Sequence, residues 1–586
     1  MRKKLYLSLC CACGISNGYA AERTNTFASK PLFPEDLSLP ELIRQDQRLN
    51  DLKQQLGTQA VIQPAGADLL KKQPIVISET PCFEISQINI EVNDDSDNKA
   101  MRAFDFLGNL LNKNKNQIVD QCIGTQSLQN IVKFAHNELI KKGFVTSQIS
   151  VPEQDMTQGI LLLQIAPGRI NQIIHDGPNI SALQLNMALP FKEGDILNIK
   201  KLDHALENLK KIAGLNVDIR IEPASEAVTD GLSNIRITTQ PYRKLNVSLS
   251  VDDSGNKTTG EYLGSVGLTF NNPFWLNDSL NLNFSHSLDD LHQDRNKSYF
   301  ASYQLPFRTF DLSTSYNWYE YDQYVAGYEN PILYSGESQQ ANLTLSKMLM
   351  RGTQYKTTAY GKIYQKQNRN FIEDIEIGVQ QRRTAGWHAG LQHKHYFGNT
   401  LIDLNLDYRR GMGAFNSMPA PEEEITDVNG NLLPAEGYAR APLWSADIRI
   451  NYPFAFFNQA AQYRVNWKGQ YAPKVLVPQD RFYIGGRYSV RGFDGEIMLS
   501  GDNGHFLQQE LNVNLPFNTQ LYAGVDQGWV GGEHSIAGQR YLAGGVVGIR
   551  SYFQGIYLDA FTGHGLVAPR SIKRDLVTGF SLSYSY

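Results

Sequence analysis

Cysteine is scarce in this chain of 586 residues: there are five, and Cys10, Cys11 and Cys13 sit together near the start. Charge is sparse as well. Asp, Glu, Lys and Arg make up 19% and sum to −4, so there is no strong basic field, and nucleic acid is not an expected partner. Beyond the N-terminus no uninterrupted apolar run reaches the ~18 residues a membrane helix needs. A membrane protein without such runs must cross as a closed barrel, because hydrocarbon leaves an open backbone unpaired. After residue 21 the sequence also lacks Gly-x-Ser-x-Gly, His-Glu-x-x-His and Cys-x-x-Cys. His393 and His395 share a strand face, but Gln392, Lys394 and Tyr396 add no carboxylate for a metal. Gly485-Gly486 and Gly544-Gly545 precede no helix and are not phosphate loops. Neither an enzyme, nor a cofactor, nor a metal site is expected.

What is abundant is alternation. In the last eleven residues Leu576, Phe580, Leu582, Tyr584 and Tyr586 point one way, while Val577, Gly579, Ser581, Ser583 and Ser585 point the other. One face suits lipid and the other a wet interior, as in a transmembrane β-strand. The pattern recurs from Lys244 onward. Ile402, Leu404, Leu406 and Tyr408 oppose Asp403, Asn405, Asp407 and Arg409; Tyr463, Val465 and Trp467 oppose Arg464, Asn466 and Lys468. About sixteen such segments fit before Tyr586, an even number as bacterial outer-membrane barrels require. Some turns are short (Pro306-Phe307-Arg308-Thr309) and others long (Gly411 to Leu443), which separates periplasmic turns from surface loops.

The N-terminus carries Arg2, Lys3 and Lys4, then the apolar stretch Leu5 to Ile15, then Gly18-Tyr19-Ala20. This is the order of a secretory signal, assigned to residues 1–21. Lipidation is not expected, since Leu9 precedes Cys10 where a small residue belongs. Removal of the signal leaves Cys82 and Cys122, read as a disulfide formed in the periplasm. Residues 22–80 hold a helix with a thin stripe (Leu42, Ile43, Leu49, Leu52 and Leu56) and a linker, either a solvated helix on a tether or one able to sit in a polar pore. Residues 81–168 and 169–242 each read as strand, two helices and two strands, a tandem repeat of small α/β modules. The barrel takes 243–586.

One long connection, 473–504, contains Val490-Arg491-Gly492-Phe493, and the next hairpin carries Gly524-Val525-Asp526. Here the chain resembles the two-partner secretion transporters (the TpsB family). Pro81-Cys82-Phe83, Gly143-Phe144-Val145-Thr146-Ser147, Asp252-Asp253-Ser254-Gly255 and Asn272-Pro273-Phe274 extend the resemblance over essentially the whole exported chain. It implies a barrel of about sixteen antiparallel strands, preceded by two polypeptide-transport-associated (POTRA) domains and a helix that plugs the pore. It also implies a loop re-entering the lumen, where Arg491 meets Asp526 on the wall. At an effective dielectric of ~20 the gross attraction of such a pair is about 4 kcal/mol. The partner implied is a long β-helical exoprotein (an adhesin, cytolysin or contact-dependent inhibition toxin), bound unfolded and passed to the surface. Outer-membrane lipid and lipopolysaccharide are the surroundings, and a monomer is expected. A barrel-assembly insertase of the same superfamily is the alternative.

Overall fold

The structure, a computed structural model, describes residues 39–57, 75–93, 98–113, 118–177, 180–224, 231–289 and 296–586, apart from 327, 329, 353, 428, 536 and 537. The expected signal and linker lie outside the described residues. Helix α1 (Leu39–Gly57) comes first. The first module follows as β1 (Phe83–Ile85), β2 (Gln87–Val92), α2 (Asn98–Leu111), β3 (Gln121–Ile123), α3 (Thr125–Lys142), β4 (Gln148–Ser150) and β5 (Ile160–Ala166). Its sheet runs β2-β5-β4, with β2 parallel and β4 antiparallel to β5. The apolar positions that recur at helical spacing, Leu107, Leu111, Ile131, Ala135 and Leu139, close on Ile88, Leu161, Leu163 and Ile165.

The start of α3 has no side-chain cap of its own. Glu79 supplies one from a distance, accepting from Gln126 N (2.9 Å) and Ser127 N (2.7 Å). The ribbon of β1 and β3 carries Cys82 and Cys122, which are joined across a separation of 40 residues. On the chain-entropy account that closure stabilises the module by about 3–4 kcal/mol.

The strand after α3 is short, Gln148–Ser150. Gly143 ends α3 at φ 101°, and the chain after it is claimed by the next module: Ile199 N binds Gly143 O (2.9 Å) and Val145 packs into the second core. The second module comprises β6 (Arg169–Asp176), α4 (Ala182–Ala188), α5 (Ile199–Leu209), β7 (Val217–Pro223) and β8 (Leu232–Thr239), in sheet order β6-β8-β7.

Sixteen long strands then close into an antiparallel barrel, from Leu245–Asp252 to Leu576–Ser585, with the two-residue Ile375–Glu376 as an addition to one hairpin. The alternation sorts as expected. Leu249, Val266, Phe284, Leu406, Leu582 and Tyr584 are exposed on the outside, while Asn466 donates to Gln508 and Tyr360 to Asp407 on the inside. His393 and His395 face outward, stacked with Tyr355 and Phe397. One end is closed by tight turns such as Phe457-Asn458 and Phe517-Asn518, whose four residues all have positive φ. That backbone matches the right-handed twist of a hairpin.

The second module docks on this end. Arg308 N binds Met187 O (2.7 Å), and the Arg308 carbonyl accepts from His204 Nε2 and Asn208 Nδ2, each at 2.7 Å. Glu207 is held by Arg351 and Lys356, and Lys211 pairs with Asp311. Burial, with Lys356 and Lys211 facing it, lowers the His204 imidazole to about 4; Glu207 and the hydrogen bond to Arg308 only partly oppose this. Burial alone would raise the Glu207 carboxyl, but Lys356 and Arg351 outweigh it and hold it at about 2. Protonation of His204 would place a proton on Nδ1, which is buried with no acceptor among the described residues.

Docking is thus complete above the ordinary histidine value of 6.5 and weakens as pH falls from 6.5 toward about 4, by up to ~3 kcal/mol. Below the ordinary glutamate value of 4.5, Glu207 adds a second loss on the way to about 2. The protection of α5 against hydrogen exchange, taken relative to the intrinsic rate at each pH, is expected to fall between pH 7 and pH 5, and His204→Gln, which keeps a donor without titrating, is expected to flatten that response. Identical pH profiles in the two proteins would refute the assignment to His204.

Candidate functional site in the barrel lumen

Between the eleventh and twelfth barrel strands (Gln459–Tyr471 and Asn503–Leu515) the chain folds back inside the barrel. A short hairpin, Phe482–Ile484 against Leu499–Gly501, forms its stem. Ile484, Val490 and Phe493 join Phe506, Val530 and Leu542 in a small apolar cluster that fixes the loop to the wall. Arg491 then faces the thirteenth strand (Thr519–Gly531). Its Nε and Nη2 donate to the two oxygens of Asp526 at 2.7 and 2.9 Å, and its backbone N donates to the same carboxylate at 2.9 Å. Asp526 is fully buried. A planar guanidinium is the side chain that can grip a carboxylate in this forked way.

Two glycines permit the approach. A Cβ on Gly524 would lie 2.9 Å from Arg491 Nη2, and one on Gly492 would lie 2.5 Å from His564 O, with φ at +101°.

The network continues past the residues that the sequence picked out. Arg491 Nη1 donates to Glu510 at 2.5 Å, and Glu510 accepts from Arg550 at 2.6 Å. Arg550 reaches Asp559 (3.0 Å) and stacks over Tyr522, whose hydroxyl donates to the same Asp559. Two cations and three carboxylates are thereby interleaved, so none of these five groups is left buried alone. Glu510, Arg550 and Asp559 carried one legible signal, their place on the polar side of alternating strands; nothing local showed their pairing.

Helix α1 lies in the lumen. Arg44 donates to Gly255 O and, at 2.9 Å, to Gly495 O at the loop tip, with Glu496 3.6 Å away. Arg48 meets Ser285, Asp252 and Ser265 from three successive strands. Glu41 accepts from Tyr319 (2.5 Å) and Asp46 from Lys366 (2.6 Å). Of the leucines expected to line the helix, Leu42 packs against Tyr319, Tyr321 and Tyr334, Leu49 is buried and Leu52 half-buried. The Leu56 side chain lies outside the described residues. The apolar stripe is thus the smaller part of the docking, and polar residues are the larger part.

The loop also touches the barrel's closure. Arg487 pairs with Asp253 at 2.5 Å, and the same Asp253 oxygen accepts from Phe580 N. There the last strand meets the first over a short ladder, Ser581–Ser585 against Ser248–Asp252, extended by backbone hydrogen bonds between Tyr586 and Val247.

A family model described as haemolysin secretion/activation protein ShlB/FhaC/HecB matches residues 231–551. The chain belongs to this family. Models of the ShlB-type POTRA domain and of a POTRA domain match residues 83–168 and 169–223. Among solved structures, CdiB from Acinetobacter baumannii is 50% identical, with a TM-score of 0.85 over 95% of this chain and 100% of that one. The outer membrane transporter CdiB-2 of Burkholderia pseudomallei is 29% identical over 88% of each chain. The hemolysin transporter protein HpmB of Proteus mirabilis is 22% identical over 95% of this chain and 94% of its own. The protein is a two-partner secretion transporter of the outer membrane, with its POTRA domains in the periplasm. Membership sets aside the insertase alternative.

Proposed function

We propose that this transporter takes an unfolded TpsA-type exoprotein from the periplasm and passes it through the lumen once α1 and the loop tip have moved aside. One observation carries the reading: the lumen is filled by two segments held mainly by hydrogen bonds and ion pairs, which exchange readily with water and with a passing polar chain. No chemical step is assigned to it, and it acts as a monomer. Arg491 and Asp526, with Gly492 and Gly524 giving room and Val490 and Phe493 giving anchorage, hold the loop; α1 is the plug.

Identity to the CdiB proteins exceeds that to the hemolysin transporter (50% and 29% against 22%), which favours cargo of the kind that CdiB serves. Among the family's cargo classes this is the contact-dependent inhibition toxin.

Capture begins on the first POTRA domain. Its edge strand β4 borders a groove lined by Leu128, Val132, Ile149 and Val151 against α3, where an added strand finds both backbone partners and an apolar seat. An exoprotein stalled in transit should crosslink to photoreactive residues placed at Gln129, beside that groove, and at Ser285 in the lumen. Continued secretion with a crosslink at neither position would sink this route.

A further inference from the structure

The two sides of the lumen differ in chemistry. On the first six barrel strands (from Leu245–Asp252 to Ile332–Arg351) the contacts of α1 show which positions face inward. Asp252, Ser265 and Ser285 meet Arg48, while Asn296 and Tyr319 meet Glu41. Every second residue counted from these also faces inward, and these side chains are mainly serine, threonine, asparagine and glutamine. One band of them, Thr269, Asn281, Ser302, Ser315 and Asn342, crosses strands two to six in a single register. Charge is confined to the two ends of this wall. Asp252 stands at one end; at the other, Asp311 and Arg351 are engaged by Lys211 and Glu207 of the second POTRA domain. Between these ends none of the described inward residues is charged.

The rest of the wall is the reverse. Each strand from the seventh (Tyr355–Ile372) to the fifteenth (Ile556–Val567) turns at least one charge inward, such as Lys366, Asp407, Asp447, Glu510 and Arg550. The re-entrant loop is fastened to this side. Arg491 holds it to Asp526 on the thirteenth strand, and Asp480 pairs with Arg409 of the ninth (Thr400–Met412) at 2.7 Å. Helix α1 covers the uncharged side, where Lys53 also lies 5.8 Å over the Phe300 ring.

A polypeptide in transit offers backbone amides at every residue and charges of both signs at intervals. Fixed charges on a partly dry wall hold the opposite sign and repel their own. Hydroxyls and amides offer hydrogen bonds that exchange with water at little net cost. An extended segment can therefore slide along one side of this lumen and is arrested on the other. We infer, resting on the transport reading above, that the exoprotein passes as an extended chain along strands one to six, the wall that α1 vacates, while Arg491 keeps the loop on the charged wall opposite.

The test uses the full-length transporter in cells with its exoprotein stalled in transit. A photoreactive residue is placed at Ser302 or Asn317 on the uncharged wall, and at Gln392 or Lys468 on the charged one. Crosslinks to the exoprotein are expected at the first two positions and at neither of the others. Ser302→Lys is expected to slow secretion about fivefold, through the hold of one ion pair on each passing carboxylate. Gln392→Lys adds the same charge to the other wall and should leave secretion unchanged. Heat-modifiable migration verifies folding, and Asn317→Lys takes the place of Ser302→Lys if that variant fails it. Equal or greater crosslinking at Gln392 and Lys468, or equal secretion by the two lysine variants, would overturn the corridor and leave transport standing. Continued secretion with a crosslink at none of the four positions would instead remove the transport reading beneath it.

Discussion

Replacing Arg491 by alanine is expected to leave a folded, membrane-inserted barrel that secretes at least ~10-fold less exoprotein into the medium. The barrel should survive because its sixteen strands close through their own backbone ladders, none of which needs the loop. The loop should not. Asp526 is fully buried, and in the intact protein it receives three hydrogen bonds from Arg491. Removing one partner of a buried pair typically costs 3–5 kcal/mol, roughly because the other charge is stranded.

Some of that cost is relieved here, since Arg550 still faces Glu510. None is relieved at Asp526, whose side chain has no second cation among the described residues. Asp526→Ala should therefore reproduce the defect, and Arg491→Lys should not rescue it, because an ammonium cannot serve two carboxylates in the plane of a fork. The measurement is exoprotein in the medium, set against heat-modifiable barrel in the outer membrane. Normal secretion by both alanine variants would remove the role given to the pair.

How much of this was legible in the sequence differs from element to element. The barrel was, because a period of two survives any uncertainty in strand ends: Ile402, Leu404 and Leu406 cannot face water while Asp403, Asn405 and Asp407 face lipid. The helices of the POTRA modules were legible for the same reason at a period of 3.6. The meeting of Arg491 with Asp526 was available only through family resemblance, since spacing along a chain says nothing about what a re-entrant loop touches.

The partners Glu510 and Arg550 were beyond reach altogether. They lie 40 residues apart, and their strands are not neighbours. The interface of α5 with the barrel was hidden differently, because Glu207 and Lys211 look like solvated helix residues until Arg351, Lys356 and Asp311 are brought opposite them. Helix α1 was legible as one able to enter a polar pore, but the side chains that anchor it there were not. A surface helix docks through its apolar stripe, but inside a polar lumen the same helix docks through Glu41, Arg44, Asp46 and Arg48.

That last point gives the second large effect. Deleting residues 22–56 should leave the channel open for much longer in planar-bilayer recordings, because nothing else described in the lumen takes the place of α1. A subtler variant separates loss of bulk from loss of attachment. Arg44 ties the helix to Gly255 in the first barrel loop and to Gly495 at the re-entrant tip, while Arg48 ties it to strands one, two and three. Hydrogen bonds to charged groups contribute about 1.5–3 kcal/mol each when partly buried. Losing the attachments of both arginines should therefore shift the docked-to-free balance of the helix by roughly a hundredfold or more.

Arg44→Ala/Arg48→Ala should accordingly show long open bursts that still close. The deletion should not close, since the double variant keeps a helix that can return to the lumen through Leu42, Glu41 and Asp46. Because Arg44 also grips the loop tip, the double variant should loosen the loop, made visible as faster hydrogen exchange around Gly495, without touching Arg491. A trace unchanged by both constructions would mean that α1 does not block the path, and that the lumen is shut by the loop alone.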